Sequence, residues 1–188
     1  AYGGDVISRI RHTMDAPDGL GELSRIIRLQ VKDMIGSALA RCGRDKSELR
    51  HSVLVGNTVM QHIFANFPVQ SIAVAPFEPH TLFGVELDDT LLGAPLYYAP
   101  CVAGYIGGDI TAGLLASDLS NKDGRYLFLD IGTNGEMALG GKGGFRCCAV
   151  ASGPAFEGAG ISCGMPAIDG AVSHVRFSGG FLYDTVGN

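Results

Sequence analysis

Asp130-Ile131-Gly132-Thr133-Asn134-Gly135-Glu136 follows the β-prone run Tyr126-Leu127-Phe128-Leu129. An acidic residue therefore closes a buried strand, and a glycine-rich turn opens directly behind it. Glycines let backbone N–H groups approach phosphate oxygens, Thr133 adds a hydroxyl, and Asp130 can hold Mg²⁺ through its water shell. An isolated Gly-Thr-Asn-Gly turn also forms without any ligand. The strand ahead of it and the acidic residues at both ends favour the phosphate reading, with Gly132, Thr133, Asn134, Gly135 and Glu136 as the gripping segment.

The surroundings are those of a folded chain. With 188 residues, 46% of them apolar and 18% charged, it can bury a sizeable core. The 28 glycines follow no collagen period and mark turns and close backbone approaches. Net charge is −5 and no basic run is present, which argues against nucleic acid and anionic membranes as partners. Apolar stretches such as 95–106 are too short to cross a bilayer. Asp5, Arg9 and Arg11 interrupt any leader pattern, so the expected location is the cytoplasm. Cys42, Cys101, Cys147, Cys148 and Cys163 lack C-x-x-C spacing and read as free thiols.

Outward from the hairpin, Leu20, Leu23, Ile26, Ile27, Val31, Met34, Ile35, Ala38 and Leu39 recur at helical spacing, with Gly43 as the stop. Ser52 to Val55 reads as a short strand leading through Gly56 into a helix capped by Asn57 or Thr58 and running to about Phe64. Ile72 to Ala75 reads as another strand, followed by an irregular stretch from Pro76 to Gly93. Leu96 to Val102 is β-prone and leads through Gly104, Gly107 and Gly108 into Asp109 and a helix marked by Ile110, Leu114, Leu115 and Leu119. This repeats the earlier strand, turn and helix. After the polar break at Ser120 to Arg125 come the strands Tyr126–Ile131, Glu136–Leu139 and Phe145–Ala151, then a hairpin around Gly179 and Gly180.

The heptapeptide resembles the second phosphate motif of the acetate kinase, sugar kinase, Hsp70 and actin superfamily. Further stretches are similar to the ATPase portion of reductive activators of corrinoid proteins: 2–10 (YGGDVISRI), 55–62 (VGNTVMQH), Gly107-Gly108-Asp109 and 151–158 (ASGPAFEG). The resemblance implies an α/β, ribonuclease-H-like (actin-like ATPase) fold, present as a partial two-lobe fragment. Residues 1–122 would be the later part of the first lobe, and 123–188 the start of the second with the phosphate hairpin. ATP and Mg²⁺ are the implied cofactors, with a [2Fe–2S] cluster only in an N-terminal ferredoxin-like domain that these residues lack. Electrons from that domain, with ATP hydrolysis, would reduce Co(II) to Co(I) in the corrinoid protein of a methyltransferase system, the expected partner; a homodimer is compatible with this.

Within that frame Asp109 and Asp130 are the catalytic candidates. Asp130 would position Mg²⁺ and Asp109 would orient water near the γ-phosphate, while Gly107, Gly108 and Gly153 join the hairpin in lining the nucleotide site. Asp109 serves equally as a helix cap, and the sequence leaves both roles open. Gly56-Asn57-Thr58 has the same two readings, and His62 reads as structural. The sequence lacks a first D-x-G-T-T motif and an adenosine-binding G-G region, so the implied ATPase activity belongs to a longer protein than these residues alone. Two other readings are a corrinoid-protein docking module with an incomplete nucleotide site and a small-molecule kinase of the same superfamily.

Overall fold

A computed structural model describes residues 5–153, 158 and 161–187. Four helices lie in the first two thirds: α1 (Val6–Asp15), α2 (Gly19–Arg41), α3 (Thr58–Ala65) and α4 (Gly108–Ser117). The strands are β1 (Ser52–Leu54), β2 (Val85–Leu91), β3 (Ala94–Tyr98), β4 (Tyr126–Ile131), β5 (Asn134–Gly141), β6 (Gly144–Ala151), β7 (Val172–Phe177) and β8 (Phe181–Thr185). They form sheets ordered β1-β3-β2, β4-β5-β6 and β7-β8. Two compact units result: Ala1–Phe128 with Ala138–Cys148, and Leu129–Met137 with Ala149–Asn188. No helix among the described residues is long and apolar enough to cross a membrane.

In the first unit the helices follow their apolar stripes. Leu23 of α2 buries with Ile10, Val59, Ile63, Val69 and Ile72. One and more turns further along, Ile27, Val31 and Ile35 pack on Phe64, Leu91, Leu96 and Tyr98. The recurrence at every fourth residue lays a single face of α2 across α3 and the sheet. α1, to which the sequence reading gave no element, starts where the Asp5 carboxylate accepts from the Ser8 amide at 2.8 Å.

The two strand-turn-helix segments lie side by side. β1 pairs in parallel with β3, Ser52 opposite Leu96 and Leu54 opposite Tyr98. Each strand then enters a helix, β1 through Gly56 into α3 and β3 through Gly107 into α4. The two turns touch: the Gly56 carbonyl accepts from the amides of Gly108 at 2.9 Å and Asp109 at 3.4 Å. A Cβ on Gly107 would stand 2.5 Å from that carbonyl oxygen and 2.7 Å from the Thr58 nitrogen. Glycine is required there by packing. α4 then buries Ile110, with Ile106, against Ala138, Phe128 and Phe145 of the strands that follow.

Two sequence expectations are corrected. Ile72 to Ala75 is not a strand; Gln70–Ala73 forms a single 3₁₀ turn that drops the fully buried Ile72 into the helical core. The stretch from Pro76 to Gly93 is not wholly irregular, since it contains β2, antiparallel to β3 through a two-residue turn. Leu92 and Gly93 both take positive φ, 54° and 86°, the sign that matches the twist of paired strands.

β2 escaped notice because an aspartate holds one of its inward positions. Leu87, Asp89 and Leu91 face in. The Asp89 carboxylate takes both arms of the Arg28 guanidinium, at 2.7 and 2.6 Å, and the Tyr98 hydroxyl at 2.7 Å. Arg28 also donates to the Phe64 carbonyl at 3.2 Å and lies 4.8 Å from the centre of the Phe64 ring. Removing the carboxylate strands a partly buried guanidinium and a buried phenol, so Asp89→Ala is expected to cost about 2–3 kcal/mol in urea unfolding. Hydrogen bonds from Arg28 hold the Asp89 carboxyl below the usual carboxylate range. This stabilisation is therefore complete above pH about 4 and lost as pH falls through the lowered native value, a dependence absent from the variant.

The second unit holds the β4–β5 turn, the end of β6 and the β7–β8 hairpin. Phe177 pairs with Phe181 across the latter, ring centres 5.4 Å apart, as the chain reverses through Gly179 at φ 69°.

Candidate functional site

Asp130 and the turn behind it belong wholly to the second unit. β4 ends at Ile131 and β5 begins at Asn134, so only Gly132 and Thr133 link them. The turn is closed by the Gly132 amide, which donates to the Asn134 carbonyl at 2.9 Å. The Thr133 carbonyl accepts from the amides of Ser152 at 3.1 Å and Gly153 at 2.9 Å. Asp130 is exposed, Gly132 to Gly135 are half-buried, and Glu136 is buried on β5.

The three glycines here have different reasons to be glycine. Gly153 has φ 80°, where an L side chain is strained. Gly135 lies in an ordinary backbone region, but a Cβ on it would stand 2.6 Å from the Ser152 hydroxyl oxygen. Gly132 has neither constraint: its φ is outside the left-handed region and, among the described residues, an added Cβ would meet only the Asn134 carbonyl oxygen, at 3.7 Å. The fold tolerates a side chain at 132, so the bare backbone there offers room for a ligand. Beside it, Asp130 presents an exposed carboxylate. Among the described residues no three His, Cys, Asp or Glu side chains gather. That donor set suits Mg²⁺, which keeps several waters and takes one or two carboxylates plus phosphate, and not a dedicated protein cage.

Gly107, Gly108 and Asp109 belong to the first unit. Gly107 is the residue that caps α4, and Asp109 sits in its first turn, so of the two roles left open for Asp109 that of helix cap falls to Gly107. Its Oδ1 accepts from the Ile110 amide at 2.9 Å, and a carboxylate at this end is favoured by the helix dipole. Gly108 is bare because a Cβ would collide with Gln61 Oε1 at 2.4 Å. Asn57 caps α3 by accepting from the Val59 amide at 2.9 Å, and Thr58 donates its hydroxyl to the Ala103 carbonyl at 2.7 Å. The cap accounts for Gly56-Asn57-Thr58 without a ligand.

Residues 1–122 match the family profile described as the RACo middle region, and residues 125–187 match the one described as the C-terminal domain of RACo, the ASKHA domain. The chain belongs to the RACo family. Over its whole length this RACo chain is 30% identical to the corrinoid activation enzyme RamQ of Eubacterium limosum, covering 32% of that protein. Over 72% of its length it is 29% identical to the [Co(II) methylated amine-specific corrinoid protein] reductase of Methanosarcina barkeri, covering 28% of it. A solved reductive activator for corrinoid,iron-sulfur protein superposes on 99% of the chain with a TM-score of 0.84 at 39% identity, over 31% of its own length. The RACo chain thus spans about a third of the length of these relatives, and its α/β fold is theirs.

The sequence reading took in the hairpin of this RACo chain but not the reason for Ser152. Its only signal was the glycine spacing after residue 151; the Thr133 contact is long-range and leaves no local pattern. Glu157, in the same stretch, lies outside the described residues.

His62 is wholly buried and structural in its bonding. Its Nδ1 lies 2.7 Å from the Thr58 carbonyl, which makes Nδ1 the protonated nitrogen and leaves Nε2 to accept the Thr81 amide at 3.3 Å. Phe83, at φ 54°, meets the imidazole edge at 4.8 Å and stacks on Tyr98. Burial pushes the His62 pKa below its ordinary value, assisted by nearby His80. The unfolded chain then binds the extra proton first, so stability is complete above pH about 6.5 and declines as pH falls from there toward the lowered native value. Urea midpoints between pH 7.5 and 5 are expected to show this decline in the native sequence and to lose it in His62→Gln.

Proposed function

We propose that this chain is part of an ATP-driven reductive activator of corrinoid proteins and carries one of its phosphate-binding hairpins. What carries the reading is Gly132, a glycine that neither backbone angle nor neighbours require, set between the exposed Asp130 carboxylate and Thr133. Similarity of the whole chain to about a third of proteins named for corrinoid activation supports this choice of reaction.

In this reading ATP with Mg²⁺, when bound, supplies the free energy of phosphoanhydride cleavage. The chain's own groups do the holding. Gly132, Thr133 and Gly135 lend backbone and hydroxyl donors to phosphate oxygens, Asn134 and Glu136 anchor the ends of the turn, and Asp130 binds the water shell of the cation. Asp109, half-buried in the first turn of α4, orients the attacking water, with Gly107 and Gly108 keeping that helix end bare. Gly153 completes the phosphate side. The partner is the corrinoid protein of a methyltransferase system, and its electron comes from a [2Fe–2S] centre outside these residues, in a cytoplasmic, soluble protein.

Calorimetry with MgATP tests this on the chain and on a version extended to the length of its relatives. The extended protein is expected to bind, and Gly132→Ala to weaken binding at least tenfold, about 1.4 kcal/mol, while its melting temperature stays within a degree or two. Asp130→Ala is expected to weaken binding only when Mg²⁺ is present. An extended protein that ignores MgATP contradicts the nucleotide role and leaves a corrinoid docking module as the reading.

A further inference from the structure

The tip of the β4–β5 hairpin is held by more than its own turn. One carbonyl, that of Thr133, accepts two successive amides, Ser152 at 3.1 Å and Gly153 at 2.9 Å. A carbonyl oxygen has two lone pairs, and two donors arriving from one short corner fix its direction as well as its position. Successive N–H groups of an extended strand point to opposite sides, so they converge on one acceptor only if the chain bends between them. That bend is made at Ser152, whose backbone lies between the two amides, and Gly153, at φ 80°, turns the chain away directly after it. Among the described residues a Cβ on Gly153 would meet nothing within 4 Å, so it is the angle that favours glycine. At Gly135 the angle is ordinary, and a Cβ would press only on the rotatable Ser152 hydroxyl oxygen at 2.6 Å, with the Val150 carbonyl oxygen next at 3.9 Å.

We infer that the Ser152–Gly153 corner is a positioning element for the hairpin: it pins the Thr133–Asn134 peptide so that Gly132 and the Thr133 hydroxyl are presented in one fixed orientation. The corner acts through its amides and not through the Ser152 side chain. Donors fixed before binding need no ordering when the anion arrives, which is where the corner contributes to affinity. The identity of that anion rests on the nucleotide reading above; the clamp itself does not.

Amide hydrogen exchange over Asp130–Met137, without nucleotide, tests the clamp in Gly153→Ala, Gly153→Asn and Ser152→Ala. Gly153→Ala is expected to speed hairpin exchange about tenfold, as the alanine leaves the left-handed region, while α4 stays protected. Gly153→Asn, the L residue most at ease at positive φ, is expected to restore most of the protection. Ser152→Ala, which keeps its amide, is expected to change nothing. In the extended protein, Gly153→Ala is expected to raise the KM for MgATP about tenfold with kcat nearly unchanged, and Gly153→Asn to recover it. Unchanged hairpin exchange in Gly153→Ala, or equal acceleration in Ser152→Ala, overturns the proposal; should Gly153→Ala not fold, an unprotected hairpin in a folded Gly153→Asn overturns it too. If the extended wild type does not bind MgATP, the nucleotide reading fails while the exchange experiment still decides the clamp.

Discussion

The first unit depends on the contact between two turns, the Gly56 carbonyl on one and the bare Gly107 on the other. Parallel strands need crossover connections, and here both strands deliver their helices to the same place. The helix starts can meet only because Gly107 has no side chain: the 2.5 Å left for a Cβ is far inside van der Waals contact. From that contact follow the register of β1 on β3, the docking of Gln61 beside Gly108, and the seat of Ile110 under Phe128 and Phe145. The glycine-rich composition of this chain thus has a structural use as well as the proposed ligand-binding one, and the two must be separated residue by residue.

That separation shows which parts of the site the sequence could carry. α2 and α3 were legible because their apolar residues recur at helical spacing and burial follows that spacing. The strands around the hairpin were legible as β-prone runs set between glycine and polar breaks. β2 was not, because Asp89 occupies an inward position and is neutralised by Arg28, a partner 61 residues away that no local pattern announces. Ile72 was misread because a four-residue apolar run fits a strand or a buried turn equally well. At Asp109 the residue type suggested the cap, but the closeness of Gly107 to Gly56 moved the helix start two residues earlier.

The same limits apply to the hairpin. Residue types suggested phosphate binding for Gly132 and Gly135, and the family resemblance added Gly153. The structure divides them: Gly153 is favoured by its angle, Gly135 faces the Ser152 hydroxyl, and Gly132 has neither constraint among the described residues. Asp130 fits the phosphate reading, as an exposed carboxylate at the end of a strand with a bare turn beside it. Membership of the RACo family is what turns the proposed chemistry toward a corrinoid protein.

The most direct test of that account is optical. Co(II) and Co(I) corrinoids differ in visible absorption, so a corrinoid protein, a reductant and the extended activator can be followed with and without MgATP. The account predicts formation of Co(I) that requires both activator and MgATP and that, at limiting MgATP, is slowed about tenfold by Gly132→Ala. Co(I) formation at the same rate without MgATP, or undiminished in Gly132→Ala, would contradict it.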